Sequence, residues 1–138
     1  MSNEFLDNLV KIGKLKADPS TDDEIKGLVR RGLIKIEDCK QASLSEESRF
    51  DIAYNAAHAL CLAALKKAGY RSENRYIVFQ CTQHTIDLKP EYWRILSDAH
   101  RVRNVAEYEG DIVINRQLLE ALIRVIDILA ERVQELIN

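Results

Sequence analysis

Glycine and proline are scarce in this chain, five and two among 138 residues, and sustained alternation of polar and apolar residues is missing. Few turn-formers and no strand period together favour long helices throughout. No run of about 18 apolar residues occurs, which argues against a membrane-spanning helix, and no basic-then-apolar leader opens the sequence. A soluble, cytoplasmic protein is the simplest expectation. Cysteine is sparse too. Cys39, Cys61 and Cys81 are odd in number and share no close pair, against both a disulfide framework and a zinc site of paired cysteines. Cys61, in an Ala- and Leu-rich stretch, reads as a buried small hydrophobe. Excess charge of either sign is also lacking, since 20 Lys plus Arg face 22 Asp plus Glu for a formal net charge of -2. Contact with nucleic acid or anionic lipid therefore needs a local patch. Without a Gly-rich phosphate loop, a Gly-x-Ser-x-Gly elbow or two histidines four apart, there is no cofactor and no metal to expect.

What is present is helical periodicity. A chain of this length is one domain able to bury a real core; within it, residues 1–44 read as a short helical extension and 45–138 as the main bundle. Phe5, Leu9, Ile12 and Leu15 predict a first helix from Glu4 to Lys16, stopping before Asp18-Pro19. Ser20, Thr21 and Asp22 offer caps for a second helix ending near Gly32, and Leu33 to Ser43 has no clear period. Ser43 with Glu46 has capping-box spacing, and Ser45 is a rival cap, for a long helix closed by Gly69 with Phe50, Tyr54, Ala57, Cys61 and Leu65 on its stripe. Asn74 to Thr85 reads as helix from context, with strand as the other reading. Pro90 suits the first turn of the next helix, and the last runs from Asn115 to Ile137 with an apolar face broad enough for two neighbours or a subunit interface.

The concentrated polar run is His100-Arg101-Val102-Arg103-Asn104-Val105-Ala106-Glu107-Tyr108-Glu109-Gly110-Asp111. On a helix, His100, Arg103 and Glu107 share a face, Asn104 and Tyr108 lie on the adjacent one, and Arg101 points elsewhere. Arg103, with a forked guanidinium suited to phosphate and an amide beside it, is equipped to grip a phosphate. A plain ion pair between Arg103 and Glu107 is the simpler alternative.

This run resembles the signature of the HEPN superfamily, small helical bundles of prokaryotic toxin-antitoxin and defence systems, in which an Arg followed by a polar residue comes before a His, with four to six residues between the Arg and the His. Counted from Arg103, those places hold Tyr108, Glu109 and Gly110, so the His is missing. The resemblance covers roughly the last ninety residues. It implies an all-α, antiparallel four-to-five-helix bundle, a homodimer, and as partners RNA, a nucleotide or a nucleotidyltransferase-type protein, met by Arg101, Arg103, Asn104, Glu107 and Tyr108 with His100 as accessory. Catalytic members cleave RNA without metal, using the His and Arg. A phenol with a pKa of about 10 is a poor base beside an imidazole near 6.5, so a non-catalytic binding or regulatory module is the expectation, with no catalytic residue assigned. The rivals are a divergent ribonuclease toxin relying on His100 or Glu107 and a purely structural bundle. His58, among alanines, reads as a packing histidine, and His84 as a helix-end residue; Tyr92 and Trp93 read as core or interface anchors before a base-stacking platform.

Overall fold

In the computed structural model, residues 3–110 and 114–138 are described, with the backbone alone for 107–109. Helix α1 (Glu4–Lys11) starts where the Asn3 side chain accepts from the Leu6 amide. It stops short of the predicted Lys16, because the chain turns at Gly13, whose φ of 80° is costly for any residue with a Cβ. Lys16–Ala17 (β1) instead pairs antiparallel with Tyr70–Arg71 (β2), Lys16 opposite Arg71 and Ala17 opposite Tyr70. The Tyr70 hydroxyl donates to Asp7 and the Asp18 amide to the Gly69 carbonyl, so the N-terminal segment is tied to the far end of the central helix. The protein is mostly helical with a packed helical core, and this short ladder is the departure from the all-α expectation.

Helix α2 (Asp22–Cys39) opens with a reciprocal capping box, the Glu24 amide donating to Thr21 Oγ1 and the Thr21 amide to Glu24 Oε2. It runs straight through Gly32, where an end was expected, and absorbs most of the unassigned 33–43 segment. The reason is a contact: a Cβ at Gly32 would stand 2.8 Å from Leu60 Cγ and 2.9 Å from Leu60 Cδ2. Gly32 is there for the neighbouring helix. That neighbour, α3 (Glu46–Lys67), is capped by Ser45, not Ser43, through the Ser48 amide. Its buried Ala53, Ala56, Ala57, Ala63 and Ala64 let other helices come close on several sides.

After β2, α4 (Arg75–Gln80) begins under an Asn74 cap and is followed across Cys81 by the single turn α5 (Thr82–Thr85), so this segment is helical, in two pieces. Pro90 opens α6 (Pro90–Glu109), which ends at Gly110. Asn115 caps α7 (Arg116–Ile137) through the Gln117 and Leu118 amides. Leu119, Leu122, Ile126, Leu129 and Val133 of α7 are buried in one cluster with Leu6, Ile25, Val29 and Ile36 from the first 44 residues and Phe50, Tyr54 and Leu60 from α3. Tyr92 and Trp93 pack partly buried against it. All three thiols are buried and free; burial pushes that of Cys81 up to about 11 and that of Cys61 higher still. No helix among the described residues is long and apolar enough to cross a membrane.

The α2–α3 seam can be checked at its narrowest point. Alanine gains about 1 kcal/mol over glycine in a helix interior, whereas overpacking costs about 1–3 kcal/mol. Leu60 is fully buried, so its side chain would have to shift within a packed core. Gly32→Ala is therefore expected to lower the urea midpoint of unfolding; a rise would mean that the seam is looser than described.

Candidate functional site

A polar stripe crosses the alanine-rich face of α3. Asp51, Tyr54, Asn55 and His58 are spaced by three, one and three residues and so line up along one side of the helix. Tyr54 is fully buried, which obliges its hydroxyl to find a partner. It finds His100 on α6, with Tyr54 Oη 2.9 Å from Nδ1. The other ring nitrogen, Nε2, lies 3.1 Å from Asn104 Nδ2. With the amide donating to Nε2, the ring proton sits on Nδ1 and is donated to Tyr54 Oη. Tyr54, Phe79 and Tyr76 surround the imidazole, their ring centroids 6.2, 6.1 and 5.7 Å away. Trp93 meets Tyr76 edge-on at 5.6 Å, an anchoring contact.

Two guanidinium groups approach the Tyr54 ring. That of Arg103 lies 4.7 Å from the ring centroid and that of Arg75, on α4, 5.5 Å. Contacts of this kind are worth about 0.5–2 kcal/mol. Arg75 Nη1 also donates to Asn55 Oδ1 at 2.9 Å. Arg103 Nε stands 3.7 Å from Asp51 Oδ1, a long contact to a carboxylate side chain that is 62% exposed, so solvent weakens the attraction. Burial pushes the Tyr54 phenol above its ordinary value and the two guanidiniums partly offset that; the phenol stays protonated near neutral pH.

His100, Arg103 and Asn104 thus come together as their spacing indicates. Arg101 does not join them: its Nη2 pairs with Asp98 at 3.3 Å along the exposed side of α6. The side chains of Glu107 and Tyr108 lie outside the described residues, as does Asp111. Tyr54 was read from sequence only as part of the apolar stripe of α3, and Arg75, Asp51 and Asn55 were not singled out, although the polar stripe interrupting the alanines of α3 was the available signal. His84 stacks on Phe5 with centroids 3.8 Å apart, at the end of α5. Among the described residues, no three His, Cys, Asp or Glu side chains are placed to hold a metal ion.

His58 meets Phe79 edge-on at 6.2 Å. It also lines a cavity between α2, α3 and α4 of about 420 Å³. A larger one, about 560 Å³, lies between the Gly13–Lys16 turn and the start of α4, with Tyr76 on its wall. Comparison with protein-family models, curated proteins and solved structures returns no match.

Burial first, then the positive charges of Arg75 and Arg103, lower the His58 pKa from 6.5 to about 4. The unfolded chain therefore binds the proton more readily between those values. His58 contributes stability that is complete above about pH 6.5 and is lost as the pH falls toward 4, by at most about 3 kcal/mol. His58→Gln should flatten this limb in urea unfolding measured from pH 7 to 4. Parallel declines in the variant and the parent protein would refute it.

Proposed function

We propose that the protein is a HEPN-like binding module that holds the phosphate backbone of single-stranded RNA and does not cleave it. The observation that carries this reading is the state of His100. Both of its ring nitrogens are engaged, by Tyr54 and Asn104, which suits an imidazole that positions its neighbours and not one that takes a proton from a ribose hydroxyl. Its hydrogen bond orients Asn104 beside Arg103, and the Tyr54 ring carries the Arg103 guanidinium. An amide and a forked cation side by side can donate to adjacent phosphate oxygens without reading a base.

The resemblance of the α6 run to the HEPN signature supports the same assignment and adds a second copy of the chain and a nucleotidyltransferase-type protein as partners. In this reading Arg101 contributes only long-range attraction from the outer side of α6. With a net charge of -2, attraction of RNA to the α3–α4–α6 face is local and electrostatic, so affinity falls with salt.

Arg103→Ala is expected to weaken binding of a fluorescent single-stranded RNA by roughly tenfold to a hundredfold, the value of one charge-assisted contact, while the protein still folds cooperatively and melts only a few degrees lower, the loss of one cation–π contact. Purified protein in chelator is expected to leave the RNA intact. Unaltered affinity in Arg103→Ala would remove the site. Cleavage lost in both His100→Ala and Arg103→Ala would establish the ribonuclease alternative instead.

A further inference from the structure

The cavity between α2, α3 and α4 divides by chemistry. One part of its wall is apolar, from Leu28, Ala59 and Leu62; another is cationic, from Arg31, Lys35 and Arg75; and no carboxylate lines it. The helix seam explains the arrangement. Ile25, Val29, Gly32 and Ile36 form the buried side of α2, with Gly32 against Leu60 of α3, which places Leu28, Arg31 and Lys35 one step round the helix, along the edge of the seam. Among the described residues neither Arg31 nor Lys35 forms an ion pair. Arg75 is fixed by uncharged groups, its hydrogen bond to Asn55 and the Tyr54 ring. Its charge remains available to the cavity.

Three cations around one hollow with no acid among them call for a multiply charged anion, and forked guanidiniums suit phosphate. The volume of about 420 Å³ exceeds what a bare anion fills and lies in the range of small-ligand pockets, about 300–1,000 Å³. His58, uncharged at neutral pH, adds a neutral ring to the wall.

We propose that this cavity binds a nucleoside 5′-phosphate monoester, its phosphate on Arg31, Lys35 and Arg75 and its uncharged body against Leu28, Ala59 and Leu62. The ligand is either a free nucleotide or the phosphorylated 5′ end of an RNA. Since Arg103 does not line the cavity, this site stands whether or not the α6 motif holds RNA.

Calorimetric titration of the full chain at low salt tests it, with adenosine 5′-monophosphate, inorganic phosphate and adenosine as probes. The nucleotide is expected to bind at least tenfold more tightly than inorganic phosphate, and adenosine not measurably. Each cation is worth about tenfold, so Arg31→Ala combined with Lys35→Ala should weaken the nucleotide about a hundredfold. Arg30→Ala, the same charge change on an exposed position of α2, should leave it unaltered. Circular dichroism melts of all variants show whether the fold is kept. No nucleotide binding, equal affinity for inorganic phosphate, or indifference to the double substitution would overturn the proposal. Two RNA octamers of one sequence distinguish the sources: competition by the 5′-phosphorylated form alone identifies an RNA end, and competition by neither identifies a free nucleotide. Equal competition by the 5′-hydroxyl form would show that internal phosphodiesters suffice and overturn the monoester assignment.

Discussion

The approach of α2 to α3 at Gly32 and Leu60 is the constraint on which the rest depends. A protein interior is packed to crystal-like density, and here the density is reached by removing side chains: a glycine on α2 and a row of alanines on α3. With its neighbours held this close, α3 becomes the axis of the bundle, and any polar residue on it must be satisfied by whichever helix lies against it. Tyr54 is satisfied by α6 through His100, and Asn55 by α4 through Arg75. The polar groups of three helices are thereby gathered along one line. A wider seam would carry Arg31 and Lys35 away from His58 and Asn55, and the cationic cavity would open into a shallow furrow.

Features that depend on local chemistry could be read from the sequence. Thr21 among three candidate caps, Ser45 as the rival of Ser43, and Pro90 mark helix starts because each satisfies or tolerates orphan amides within its own turn. The broad apolar face of α7 and the burial of Cys61 follow from periodicity alone. Gly32 was misread because a glycine that ends a helix and one that admits a neighbouring helix look alike until that neighbour is known. The two-residue strands β1 and β2 were illegible for another reason: a period of two cannot show itself in two residues, and their pairing is fixed by Tyr70 reaching Asp7 and Asp18 reaching Gly69, contacts far apart in sequence. The division of 74–85 at Cys81 has no signal in its composition.

The candidate site was half legible in the same sense. Spacings of three and four put His100, Arg103 and Asn104 on neighbouring faces of α6 and turned Arg101 away, and the structure has that arrangement. What they would meet could not be read, because Tyr54 and Arg75 lie 46 and 25 residues from His100 in sequence and belong to helices whose packing order is a tertiary fact. A buried tyrosine on an alanine-rich helix was nevertheless a pointer, since a phenol in such a place needs a hydrogen-bond partner.

The way the positive charges are anchored also follows from burial. A guanidinium set in place by a carboxylate has its field largely cancelled; one set against an aromatic face and a neutral amide oxygen does not. Arg75 is held in the second way, by the Tyr54 ring and Asn55 Oδ1, and the Arg103 guanidinium lies over the same ring. Cation–π contact fixes position at the cost of about 1 kcal/mol or so per pair if lost, yet adds no opposing charge. Burial first, and then the charges of both arginines, lower the pKa of the nearby His58. In a chain with slightly more acid than base overall, the tyrosine ring and an amide oxygen, not a counter-ion, are thus what hold Arg75 in place.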